Sequence, residues 1–293
     1  MSQEDPIARQ AAEALWLAAA LARPAPAPLT DEPGAEALHR LREVARRRWG
    51  RADGDSAADA PRQRSVRREL AEASALVLGD PARVDAEDSL ETGLASGQEL
   101  LSALEVLASE DAGLLHLLDG DFRMLDVGTG VAGVASAVAR ARPGARVHGI
   151  DVDGTVLALA RHVVASRGCA DQVELEEGNV VDLEPEQGYD LVWLSLPMLS
   201  QDEAAAAVGS VAAALRPGGR VVVAALADPR PGETSDDILT LARDWRLSAR
   251  GRCRWTAAQI LAAVGAAGLR PYARLDQDGA GATLLSVGPD PQT

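Results

Sequence analysis

Six residues near the middle of the chain have the types and spacing to hold a ligand that carries a nucleoside. Gly128, Gly130 and Gly133 follow the apolar run Met124, Leu125 and Val127, with Asp126 inside that run and Thr129 between the first two glycines. Glycines there let a backbone come close to a ligand and adopt conformations closed to other residues. A turn of this kind, opening a helix, aims backbone N–H groups and a positive helix end at one point. Asp151 lies 21 positions beyond Gly130. An acid about 20 residues past such a turn, at the tip of the next strand, can accept hydrogen bonds from ribose hydroxyls.

The elements that must position these groups are legible around them. Met124, Leu125 and Val127 predict a short strand. Val131, Val134, Ala135, Val138 and Ala139 have the spacing of a buried helix face. The stretch 146–151 (RVHGID) predicts a second strand ending in the acid. The glycines fit the G-x-G-x-x-G spacing of dinucleotide sites, a pattern that is weak by itself. Asp126 points elsewhere: a phosphate-binding loop gains nothing from an acid at that place, whereas a ligand with an ammonium group does.

From 119 onward, strand and helix patterns alternate. Strands are predicted at 123–127, 147–150, 173–176, 191–194 and 220–224, and helices at 131–141, 154–166, 202–215 and 256–265. Alternation of this kind predicts an α/β fold, a Rossmann-like, doubly wound and mostly parallel sheet with helices on both faces. Two runs, 269–275 and 282–287, joined by DQDGAG, predict a closing antiparallel hairpin. The first 118 residues read as all-helical, broken by Pro24, Pro26 and Pro28 and by the Gly- and Asp-rich stretch 50–61. The expected division is therefore a helical cap or dimerisation region at 1–118 and a ligand-binding domain at 119–293. An insertion at 228–253 is the expected lid.

Composition narrows the function. The formal net charge is −15, with no lysine and a single asparagine, Asn179. Such a surface repels phosphate backbones, so nucleic acid is not an expected partner. Two distant cysteines, Cys169 and Cys253, give neither a disulfide framework nor metal-ligand spacing. No metal site is expected, and a reducing cytoplasm is the expected location. No run reaches the roughly 20 apolar residues that span a bilayer. The apolar stretch 14–22 is expected to be a buried or dimer-forming helix, not a signal sequence or a membrane anchor.

The run Leu125-Asp126-Val127-Gly128-Thr129-Gly130 resembles the first motif of class I S-adenosylmethionine-dependent methyltransferases. The resemblance covers 121 to the C-terminus. It implies that the loop cradles the methionine part of the cofactor, that Asp151 holds the ribose, and that Asn179, just after Gly178, contacts the adenine. With Val152, Val180 and Ser195 these make the expected S-adenosylmethionine-binding set. Members that act on amide or exocyclic amino nitrogens tend to show Asn or Asp, two prolines and an aromatic after the fourth strand. Here Ser195, Leu196, Pro197 and Met198 stand instead, which argues against that substrate class. The expected function is methyl transfer to a small, apolar or aromatic acceptor, with Met198 and Trp245 as acceptor-side candidates and a homodimer through the N-terminal helices.

No general base is assigned. His116, Asp228 and Glu233 are the candidates, and a base is needed only if the acceptor must lose a proton. Two alternatives stand beside this reading: an NAD-dependent oxidoreductase, and a cofactor-binding regulatory subunit without catalysis.

Overall fold

The computed structural model describes residues 86–184, 188–226, 255–277 and 282–290. Two helices, α1 (Ala86–Glu110) and α2 (Ala112–Leu118), precede the first strand. Then follow β1 (Phe122–Val127), α3 (Gly133–Ala141), β2 (Ala145–Asp151), α4 (Gly154–Ser166) and β3 (Val173–Glu177). The second half holds β4 (Tyr189–Ser195), α5 (Gln201–Ala213), β5 (Leu215–Leu226), α6 (Ala257–Ala266), β6 (Leu269–Gln277) and β7 (Ala282–Pro289).

The seven strands form one sheet in the order β3-β2-β1-β4-β5-β7-β6. The first five are mutually parallel, and β7 is antiparallel to both β5 and β6. The parallel sheet and the closing antiparallel pair are those expected. Strand order reverses between β1 and β4, the crevice where open α/β sheets bind ligands.

Each face has its own core. Leu107, Leu114, Met124, Val138, Val147, Leu157 and Leu191 fill the side carrying α1 to α4. Leu125, Val127, Ile150, Val192, Val211, Val223 and Ile260 fill the side carrying α5 and α6. Successive strand residues point to opposite faces, which is why Met124 and Leu125 enter different cores. Helix starts are capped as the sequence suggests: Ser200 with Glu203 and Thr256 with Gln259 form reciprocal capping boxes.

Two elements depart from expectation. A helix is expected to begin at Gln98, yet α1 begins at Ala86. Gly93 and Gly97 look like helix breakers, but they let α1 lie directly on α3. A Cβ on Gly97 would strike the Gly133 carbonyl, and one on Gly133 would strike that of Gly93. The run Leu215 to Gly219 is expected to be a turn. Leu215 instead pairs with Tyr189, and the register then shifts before Arg220 pairs with Leu191. The turn is absorbed as an irregularity within β5.

Candidate functional site

The turn after β1 is held from below and open above. The N–H groups of Gly128 and Thr129 both donate to the Ile150 carbonyl at 2.9 Å, and Ala132 N–H donates to the Thr129 carbonyl at 2.8 Å. Gly128 and Gly130 have φ of 69° and 55°, the left-handed region that favours glycine. A Cβ on Gly128 would meet nothing within 4 Å, and one on Gly130 only the Gly128 carbonyl at 3.9 Å. The turn thus presents bare backbone to open space.

Asp126 sits behind this turn. It is 1% exposed. Its Oδ2 accepts from Thr129 Oγ1 at 2.7 Å and from Ala135 N–H at 3.2 Å. Burial pushes its pKa up to about 6, against the lowering effect of those two hydrogen bonds, and the nearby charge of Asp151 raises it further. A carboxylate so enclosed holds the turn to α3. It also occupies one of the helix N–H groups expected to face the ligand.

Asp151 stands at the front. Its Oδ2 accepts from Gly130 N–H at 2.8 Å, and its Oδ1 from Asp153 N–H at 3.0 Å. Two carboxylate oxygens offer about four acceptor positions, so capacity is left for a pair of hydroxyls. The Asp151 carbonyl also accepts from Gly178 N–H at 3.0 Å, which brings the end of β3 alongside. Thr129, Gly130, Asp151 and Asn179 therefore share the carboxyl edge of β1, β2 and β3.

Other candidates sort by burial and place. Val152 is 66% exposed beside Asp151. Asn179 accepts from Val181 N–H through Oδ1 at 3.2 Å, which leaves its amide N–H groups as donors. Val180 is 3% exposed and packs into the core of the α5 and α6 face; its side chain cannot line a ligand wall, because the short 3-10 turn Val180–Asp182 tucks it under the sheet. Ser195 ends β4 at the strand-order reversal, and Met198 on the following turn is 50% exposed. Trp193 packs against the core of the face carrying α1 to α4. Trp245, the 228–253 segment, Asp228 and Glu233 lie outside the described residues. His116 is exposed on α2. His148 is engaged by the Tyr189 hydroxyl and Glu176.

One contributor escapes motif reading. A Cβ on Gly149 would meet Thr129 Oγ1 at 2.7 Å and Leu175 Cδ2 at 2.9 Å. Gly149 is what lets the Thr129 hydroxyl reach Asp126. A glycine inside a predicted strand is the signal that could have found it. The charge pattern completes the site: among the described residues neither Asp126 nor Asp151 forms an ion pair, and Asp153 caps α4 at the same edge.

Residues 124–219 match the model of a family described as methyltransferase domain. The chain is 30% identical over 162 residues to methyltransferase GfsG of Streptomyces halstedii, an alignment covering 55% of this chain and 52% of that protein. It is 35% identical over 81 residues to the release factor glutamine methyltransferase of Rhodopirellula baltica, covering 27% of each. The chain thus spans about half the length, or less, of these curated relatives. Among solved structures, the mitomycin 7-O-methyltransferase MmcR superposes with a TM-score of 0.67 at 20% identity, covering 97% of this chain and 96% of that one. Residues 124–219 are thus similar to methyltransferase domains, and the sheet order and glycine turn already described agree with that likeness.

Proposed function

We propose that the chain transfers a methyl group from S-adenosylmethionine to a small organic acceptor. The observation that carries this is an open glycine turn flanked by two carboxylates, Asp126 and Asp151, with no cation set against either among the described residues. A cofactor with a sulfonium and an ammonium group supplies the missing positive charge. A nicotinamide dinucleotide would bring its diphosphate to the same acids, which like-charge repulsion opposes.

When bound, the sulfonium supplies an already activated methyl group. The chain's residues then have positioning work. Asp151 would accept from the ribose hydroxyls while its hydrogen bond to Gly130 N–H fixes the turn. Asn179 would offer amide donors to the base edge. Bare backbone at Gly128 and Gly130 would receive the methionine part. Holding donor and acceptor in line is worth on the order of 7–11 kcal/mol, so this set needs no dedicated base unless the acceptor must lose a proton.

Ser195, Pro197 and Met198, at and just after the end of β4, would form the other wall of the crevice. This half-apolar edge suits a small, apolar or aromatic acceptor better than a protein glutamine, although relatives named for glutamine methylation match 81 and 89 residues of the chain. A lid at 228–253 and a homodimer through the N-terminal helices belong to the same reading.

Thermal shift with S-adenosylhomocysteine, NAD and NADP in parallel tests the cofactor, with a rise expected only for the first. Transfer of labelled methyl to a panel of phenols and hydroxylated polyketides tests the acceptor. A rise with NAD alone would overturn the reading. Binding of S-adenosylhomocysteine without transfer to any acceptor would favour the non-catalytic alternative.

A further inference from the structure

At the other end of the same strands is a second cleft of about 170 Å³, lined by Arg123, Arg146, His148, Asp171, Gln172 and Glu174 among others. Arg146 and Asp151 are five positions apart along β2, about 16 Å of strand, so this cleft is distinct from the glycine turn. It lies at the β2–β3 end of the face that carries α5 and α6, where, among the described residues, the 3-10 turn Val180–Asp182 stands between β3 and β4 in place of an α-helix.

Several lining groups are already committed. His148 Nδ1 meets the Tyr189 hydroxyl at 2.6 Å and its Nε2 meets Glu176 at 2.9 Å. Gln172 spends its amide on the carbonyls of Ala139, Arg142, Pro143 and Ala145. The Arg123 guanidinium lies over the Tyr189 ring at 4.9 Å. Arg146 and Glu174 remain. Among the described residues Arg146 donates only to its neighbouring Ala145 carbonyl, at 3.1 Å. The register places Arg146 beside Arg123 and Glu174 beside His148. Arg146 and Glu174 are thus one strand and two residues of register apart on one face, yet they form no ion pair. Polarity therefore runs across the cleft, from guanidiniums on β1 and β2 to carboxylates on β3 and the turn before it.

We propose that this cleft binds a small zwitterion of the amino-acid type. Its carboxylate is held by Arg146 with Arg123 behind it, and its ammonium by Glu174 with Asp171 at the rim. A simple anion would meet two carboxylates and a simple cation two guanidiniums. Only a molecule carrying both charges satisfies both sides. The volume of about 170 Å³ equals roughly six waters at about 30 Å³ each in the liquid, near the size of a short amino acid.

Calorimetry on the full chain with 4-aminobutyrate, butyrate and butylammonium at matched ionic strength tests this. Saturable binding is expected for 4-aminobutyrate alone. Arg146→Gln and Glu174→Gln should each weaken it at least tenfold while the unliganded Tm stays unchanged, since both side chains are exposed. The proposal falls if none of the three binds, if butyrate or butylammonium binds as well as the zwitterion, or if both variants retain wild-type affinity.

Discussion

Two buried aspartates at opposite ends of the sheet meet opposite fates. Asp111 is 2% exposed, caps α2 through Gly113 and Leu114 N–H, and accepts from Arg220 Nε at 2.7 Å, Arg220 Nη2 at 3.1 Å and Ser286 Oγ at 2.7 Å. Burial alone would raise its pKa, but the Arg220 and Ser286 hydrogen bonds and the Leu114 N–H overcome that and hold it below the usual carboxylate value. Asp126 is as deeply buried but has only a hydroxyl and one N–H, and its pKa rises to about 6. Where the fold needs a joint between α2, β5 and β7, it supplies a guanidinium. Behind the glycine turn, among the described residues, no cation stands against the Asp126 carboxylate.

The joint should break hardest. Arg220→Met would leave Asp111 buried without its cation, and removing one partner of such a pair costs about 3–5 kcal/mol. Urea unfolding should show that loss. Asp111→Asn combined with Arg220→Met should restore part of it, because the stranded charge is gone. A loss below about 1 kcal/mol in the single variant would mean that the pair is ordinary packing.

Asp126 gives the contrary sign. Its folded pKa lies about two units above 3.8, so the folded state holds the proton more tightly than the unfolded chain. Its contribution is fully present below pH ~4 and is lost as pH rises through about 6, a swing of ~3 kcal/mol. Asp126→Asn keeps an acceptor for Thr129 and Ala135 but carries no charge. The variant should therefore be more stable than wild type near pH 7.5, and that advantage should vanish by pH 4. Parallel thermal melts across this range check it. A constant difference at all pH values would refute a raised pKa. The same variant should also bind S-adenosylmethionine less tightly at pH 7.5, having lost the field that favours a cation.

How much of this contrast was legible in the sequence follows from the range of the interactions. The Asp126 to Gly133 turn, the Asp151 tip and the alternation of strands rest on spacings within about 25 residues, and their patterns show on one line of sequence. Asp111 with Arg220 and Ser286 spans 109 and 175 residues, and no local pattern announces it. The early start of α1 was hidden because Gly93 and Gly97 are poor helix formers by propensity; contact with α3 overrides that. Asp126 was found by type and spacing, but its enclosure depends on Gly149 of the neighbouring strand. The brace it makes behind the turn is therefore not written in the motif itself.

Asp151 sharpens the site side of the comparison. Asp151→Asn removes the charge and one acceptor oxygen from Gly130 N–H and from the ribose position. Hydrogen bonds to charged groups contribute about 1.5–3 kcal/mol, so affinity for S-adenosylhomocysteine should fall roughly 10- to 100-fold by calorimetry. Stability should change little, because Asp151 is only partly buried. Unaltered affinity would remove Asp151 from the cofactor site.

The smallest effect tests the brace itself. Gly149→Ala would set a methyl group 2.7 Å from Thr129 Oγ1 and 3.0 Å from its Cβ, so either the hydroxyl leaves Asp126 or the strands part. Overpacking of this kind costs about 1–3 kcal/mol. Thr129→Ala removes the oxygen that a Cβ at 149 would meet, whereas Thr129→Ser keeps it. The double variant Gly149→Ala with Thr129→Ala should therefore recover part of the packing lost in Gly149→Ala but not the cofactor affinity, because the hydrogen bond to Asp126 is gone, while Gly149→Ala with Thr129→Ser should recover neither. Equal stability of the two double variants would show that the Thr129 oxygen is not what crowds residue 149. Recovered stability without recovered affinity in the alanine double variant would show that Asp126 holds the turn through that hydroxyl, and that the crevice is shaped from behind by a glycine one strand away.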